Sequence, residues 1–140
     1  MVGEYVVIDT SVAFKWFVAW GEGSLDEAAR LLLSHQTRAI TLAAPCTLPV
    51  EIANSLRHAI PTLDDALALL DDLERTDIHF FDATALRVRT AATRAAETGL
   101  SVYDALFLAL AEELECPLVT ADRKAFANID SPIEIRLLEG

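Results

Sequence analysis

The sequence predicts an α/β protein, a three-layer α/β/α arrangement around a central, mainly parallel sheet. Three observations carry this reading. Short apolar runs such as Tyr5-Val6-Val7-Ile8 and Leu118-Val119-Thr120-Ala121 suit strands buried on both faces. Segments with helical periodicity alternate with such runs, as in sheets covered by helices on both sides. Two of the runs lead into an aspartate, Asp9 and Asp122, and open α/β sheets bind ligands outside the carboxyl ends of their strands.

The elements follow in order. After the first strand, Val12 to Trp20 reads as a short aromatic-rich helix ended by Gly21 and Gly23. Ser24-Leu25-Asp26-Glu27 has the capping-box spacing and opens a helix to about Gln36. Arg38 to Ala43 is the second strand. Pro45, Thr47 and Pro49 mark the turn into a helix from Val50 to His58, closed by Pro61. Thr62 to Arg75 is amphipathic, with Leu63, Ala66, Leu67, Leu70 and Leu73 on one face. Ile78 to Phe81 is a strand, and Thr84 to Thr98 a helix stopped by Gly99. Ser101 caps a helix to about Glu115. Pro117 to Ala121 is a strand, Arg123 to Asn128 a helical turn, and Glu134 to Leu138 the last strand.

The 140 residues point to one domain, 1–140. A hydrophobic share of 53% is high for a soluble domain and leaves apolar surface for a partner or a second copy. No run spans a bilayer, because Lys15 breaks Val12 to Trp20 and Asp104 sits within Val102 to Ala111. The N-terminus has no signal-peptide pattern, so the expected location is the cytoplasm. Cys46 and Cys116 have no zinc or redox spacing and are expected to be small, buried and reduced. A net charge of -11 argues against broad non-specific binding to nucleic acid. Local contact stays open, because the 11 basic residues are unevenly placed.

Four carboxylates stand out, each with a plain structural alternative. Asp9 either ends its strand as a helix cap or offers a ligand at the sheet edge. Glu51 either complements a helix N-terminus or joins that ligand set. Asp104 sits in the first turn of a helix that is apolar almost all round, with no lysine or arginine within one turn. A partly buried charge there needs a compensating partner, either a remote arginine or a metal ion. Asp122 follows its strand as Asp9 follows its own. If those strands are neighbours, the acids repel and their pKa values rise unless a cation intervenes. Mg²⁺ or Mn²⁺ suits an all-oxygen set of this kind.

Val7-Ile8-Asp9-Thr10-Ser11, Glu51-Ile52-Ala53-Asn54-Ser55-Leu56, Ser101-Val102-Tyr103-Asp104-Ala105 and Leu118-Val119-Thr120-Ala121-Asp122-Arg123 together resemble the PIN domain. Within it they most resemble the VapC-type toxin ribonucleases of VapBC toxin–antitoxin pairs. The resemblance spans nearly the whole chain. It implies Mg²⁺- or Mn²⁺-dependent RNA cleavage by Asp9, Glu51, Asp104 and Asp122. It further implies that Ser11 and Thr120 support the cluster, that the chain forms homodimers, and that a VapB-type antitoxin inhibits it in a hetero-oligomer.

RNA phosphates need basic partners. Lys15, Arg57 and Arg123 lie nearest the acids in sequence and are the expected contacts. Arg87 and Arg94, seven apart, share a helix face that reads as solvated or as RNA-binding. Phe14, Trp16, Phe17 and Trp20 either stack on bases or form core and a partner groove. His35, His58 and His79 lie in no motif, which weakens a histidine acid–base mechanism. A phosphotransferase of the haloacid dehalogenase type would need an acid where Ser11 stands, and a receiver domain needs paired acids and a lysine that cannot be placed. The remaining alternative is a non-catalytic PIN-like scaffold that binds RNA or protein.

Overall fold

A computed structural model describes residues 4–18 and 25–138. Five strands form one sheet: β1 (Glu4–Ile8), β2 (Ile40–Pro45), β3 (His79–Phe81), β4 (Leu118–Thr120) and β5 (Ile135–Leu137). Their order is β3-β2-β1-β4-β5, and every pairing is parallel. The connections are helical: α1 (Thr10–Phe14), α2 (Leu25–Gln36), α3 (Leu48–Ala59), α4 (Leu63–Arg75), α5 (Ala85–Thr98), α6 (Val102–Leu114) and α7 (Arg123–Phe126). The result is the three-layer α/β/α fold.

The core follows from the apolar runs. Val7, Ile8, Leu42, Ala43, Leu118 and Val119 are fully buried in the three central strands. Helix α6 crosses β1, β2 and β4, and its residues Ala105 to Ala111 are all buried. That explains its all-round hydrophobicity. Helix α5 packs on α6, and α1, α3 and α4 pack in succession.

Several boundaries differ from the sequence reading. Helix α1 ends at Phe14, and Lys15 to Phe17 form turns. Trp20, Gly21, Gly23 and the Ser24 cap lie outside the described residues. Strand β2 starts at Ile40 because Arg38, just past α2, takes a left-handed conformation (φ 66°). Helix α3 starts earlier than expected, at Leu48, since Pro49 fits a first turn where no amide donor is needed. Cys46 is exposed, contrary to expectation, because it leaves the sheet in the turn after Pro45, whereas Cys116 is buried. The leucine face of α4 is only half covered: Ala66 and Leu73 are buried, but Leu63 is 72% and Leu67 48% exposed.

Arg87 and Arg94 face neither solvent alone nor the acids. Arg87 donates to both oxygens of Glu113, and Arg94 to both oxygens of Glu112, so α5 is clamped to α6. Arg94 also reaches the Asp130 carbonyl, and Glu112 accepts from Ser131 Oγ at 2.6 Å. Bidentate, charge-assisted bonds of this kind exceed ordinary surface pairs. Arg94→Ala is expected to lower stability by about 1–2 kcal/mol in urea unfolding; an unchanged midpoint would refute that role.

His35 joins three elements. Its Nδ1 accepts from Leu42 N–H (3.0 Å), and its Nε2 lies 2.8 Å from the Thr76 carbonyl. It meets the Leu42 amide one residue before β3 begins to pair with β2 at Ala43. The ring must be the neutral tautomer protonated on Nε2. Its role is structural, linking the end of α2 to β2 and to the end of α4.

Candidate active site at the carboxyl edge of the sheet

Strand order reverses at the β1/β4 boundary, where α/β sheets open a crevice beyond their carboxyl ends. Ile8 pairs with Val119, and the Asp9 N–H donates to the Val119 carbonyl (3.3 Å). The neighbouring strands therefore deliver Asp9 and, two residues past Thr120, Asp122 to the same edge.

Asp9 is 5% exposed and held on both oxygens. Ser11 Oγ donates to Oδ1 and Thr120 Oγ1 to Oδ2, each at 2.5 Å. The Val12 N–H also reaches Oδ1 (3.3 Å), so Asp9 caps α1 as well. Ser11 Oγ accepts from the Ala121 N–H (2.9 Å) and Thr120 Oγ1 from the Asp122 N–H (3.0 Å). Each hydroxyl proton is thus directed at Asp9 while a backbone amide just past β4 occupies a lone pair. Burial pushes the Asp9 pKa up to about 6. The bonds from Ser11, Thr120 and Val12 oppose that rise, and the Asp104 charge adds to it.

Asp104 is half-buried in the first turn of α6, which Ser101 caps through the Asp104 N–H (3.1 Å). Burial raises its pKa, and the Asp122 charge raises it further. Asp122 is therefore felt at Asp104. Asp122 Oδ1 also accepts from the Ala125 N–H (3.0 Å) and caps α7. Glu51 lies in the first turn of α3, and burial raises its pKa too, with smaller contributions from Asp104 and Asp9. The four acids thus form a chain of mutually repelling neighbours drawn from β1, α3, α6 and β4.

The acids stand apart as they are. Among the described residues, no three His, Cys, Asp or Glu side chains lie close enough to grip one ion. The donor chemistry nevertheless fits a hard cation, because all four side chains offer carboxylate oxygens. The arginine ion pairs among the described residues engage other acids: Asp72, Glu97, Glu112, Glu113 and Glu134.

The PIN domain family profile matches residues 6–132. The chain belongs to the PIN domain family. Its fold is similar to that of several solved structures. One is a DNA-bound VapBC from Salmonella typhimurium, with TM-score 0.68 and 16% identity over 99% of this chain and 100% of that one. Another is a toxin–antitoxin complex from Klebsiella pneumoniae, with TM-score 0.65 and 19% identity over 93% of this chain and 99% of that one. A third is VapBC-5 from Mycobacterium tuberculosis, with TM-score 0.58 and 22% identity over 97% and 98%. No curated protein sequence matches the chain.

Around this PIN-domain edge the expected basic residues are spread out. Arg57 is exposed on the last turn of α3, nearly two helical turns beyond Glu51. Arg123 is exposed at the start of α7, next to Asp122, and Lys15 is half-buried at the C-terminus of α1. Phe14, Trp16 and Phe17 are half-buried against the core, and Trp16 Nε1 donates to the Ala28 carbonyl (2.8 Å). They are packing residues rather than open stacking faces. A cavity of about 400 Å³ between α5 and α6, lined by Phe81, Leu86, Leu106 and Leu110, includes none of the four acids.

Two polar side chains at this site carried no sequence signal of their own. Thr10 Oγ1 and Thr47 Oγ1 are buried with no hydrogen-bond partner, as is Glu51 Oε2. Both hydroxyls lie near enough to Glu51 to hold its pKa down, yet neither closes a bond with it. From sequence, Thr47 read only as part of a proline-flanked turn.

Proposed function

We propose that this PIN domain is a metal-dependent endoribonuclease, the VapC-type toxin of a type II toxin–antitoxin pair. What supports the reading is that Asp9, Glu51, Asp104 and Asp122 lie within electrostatic reach of one another around the β1/β4 switch point, with pKa values raised at the first three, chiefly by burial. Such pKa shifts cluster at functional sites, and carboxylates that repel one another are a natural seat for a cation. Mg²⁺ or Mn²⁺, when bound, makes water more acidic and neutralises phosphoryl oxygens.

The chain's own residues divide the work. Asp9, fixed by two hydroxyls and an amide, is the rigid anchor. Asp104 is the second anchor, at the head of a helix buried from Ala105 to Ala111. Glu51 and Asp122 complete the site directly or through water, one of them orienting the attacking water. Lys15, Arg57 and Arg123 hold the RNA phosphates. Purified protein is expected to cut RNA with Mn²⁺ and to stop in EDTA. In folded Asp104→Asn protein, cleavage is expected to fall at least about 100-fold, equivalent to about 3 kcal/mol of barrier. Full retention would reject the site.

The partner reading is a VapB-type antitoxin, with a homodimer of the toxin inside the hetero-oligomer. Solved structures of similar fold include a toxin–antitoxin complex and a DNA-bound VapBC. The exposed Leu63 and Leu67 of α4 offer an apolar seat for a helix. Expression of the native operon should co-purify a small neighbour-encoded protein. A solitary gene would count against it.

A further inference from the structure

Helix α3 departs from a rule that α4, α5 and α6 keep. Thr62, Thr84 and Ser101, the N-caps of α4, α5 and α6, each spend the hydroxyl on the amide three residues on. Their backbones are extended at the cap, as capping requires. Thr47 occupies the same position before α3 but is helical (φ -75°, ψ -18°) and makes no side-chain cap bond. Its hydroxyl is therefore withheld from the helix. It is buried beside Glu51, one turn further along, whose own N–H donates to the Thr47 carbonyl (3.0 Å). Across the α1–α3 contact, Thr10 places a second buried hydroxyl beside the same carboxylate.

Thr10 Oγ1, Thr47 Oγ1 and Glu51 Oε2 are three buried polar atoms, each without a partner. Buried polar groups are nearly always satisfied by protein or by ordered water, and such a water needs two to four polar partners. We propose that the three atoms hold one buried water, and that Thr10 and Thr47 are thereby positioning residues for Glu51. The two hydroxyls and the water fix one carboxylate oxygen and leave the other for the shared site. This deepens the nuclease reading and rests on it: Ser11 and Thr120 orient Asp9 directly, and Thr10 and Thr47 orient Glu51 through water.

The test uses Thr10→Val and Thr47→Val, which keep shape and remove the hydroxyl, with Thr→Ser at each position as the rescue. Mn²⁺ affinity is measured by calorimetry alongside kcat and KM for RNA. Each valine variant is expected to lose about tenfold in Mn²⁺ affinity and in kcat with KM unchanged, as for other groups that orient metal ligands. The serine variants should retain both, and either valine should add nothing in a Glu51→Gln background. Urea unfolding confirms that the valine variants are folded; each leaves the buried water one partner short, so a modest lowering of the unfolding midpoint is expected. Valine variants that match a wild type active with Mn²⁺ would overturn the positioning role alone. A wild type that neither binds Mn²⁺ nor cuts RNA would overturn the nuclease reading and this inference together.

Discussion

Asp9→Asn is expected to abolish RNA cleavage, by on the order of a thousand-fold or about 4 kcal/mol of barrier, while making the metal-free protein more stable at pH 8. Asp9 is 5% exposed, and burial pushes its pKa in the folded protein up to about 6, against 3.8 for a free aspartate side chain. The folded state therefore binds a proton that the unfolded state has already released. Stability contributed by the protonated form is greatest below pH 4 and falls as pH rises through about 6. Above that range the ionised carboxylate costs about 3 kcal/mol at most, a shift of this size converted at 1.36 kcal/mol per unit. Asparagine carries no such charge. Its amide nitrogen cannot accept from Ser11 or Thr120, so the net gain is smaller, about 1–2 kcal/mol. Urea unfolding in EDTA at pH 8 and at pH 4 checks the sign: the variant's advantage should shrink in acid. A variant less stable than wild type at pH 8, or one that still cuts RNA, would contradict this account of Asp9.

Thr120→Val carries the second large effect. Thr120 is fully buried and serves both neighbouring acids: its hydroxyl donates to Asp9 Oδ2 and accepts from the Asp122 N–H. Valine has nearly the same shape but leaves a buried carboxylate oxygen and an amide unpaired. The expected cost is about 2–4 kcal/mol of stability, and cleavage should drop about 100-fold as both acids lose their orientation. Thr120→Ser keeps the hydroxyl and should restore most of both. A valine variant with unchanged unfolding midpoint and activity would show that the two strands hold their acids without this bridge.

Those two results turn on how the sequence becomes a site. The strands and their parallel arrangement were legible because Val6-Val7-Ile8 and Leu118-Val119 leave no polar face, and only burial on both sides accommodates that. The adjacency of Asp9 and Asp122 was legible only conditionally. It required β1 and β4 to be neighbours, which is a property of strand order and not of either segment. Asp104 was legible as a misfit, a charge at the head of an apolar helix.

What escaped the sequence escaped for physical reasons. Arg87 and Arg94 read as an open helix face because Glu112 and Glu113 belong to another helix, and periodicity within one helix says nothing about its neighbour. The start of β2 moved because Arg38 took a left-handed conformation that its residue type does not announce. Thr47 read only as part of a proline-flanked turn, and Thr10 only as a member of the Val7-Ile8-Asp9-Thr10-Ser11 run, although hydroxyls at helix starts usually cap. Only the absence of the cap bond at Thr47 shows otherwise. The half-covered leucine face of α4 has the opposite history: the composition announced surplus apolar surface, and Leu63 and Leu67 show where part of it lies.

The most direct measurement is a crystal structure of the protein grown with Mn²⁺ and recorded at the manganese edge. The account requires an anomalous peak within coordination distance of Asp9 and Asp104, with Glu51 and Asp122 reaching it directly or through one water. A well-ordered crystal with no peak at the β1/β4 edge, at Mn²⁺ concentrations that support RNA cleavage, would contradict it.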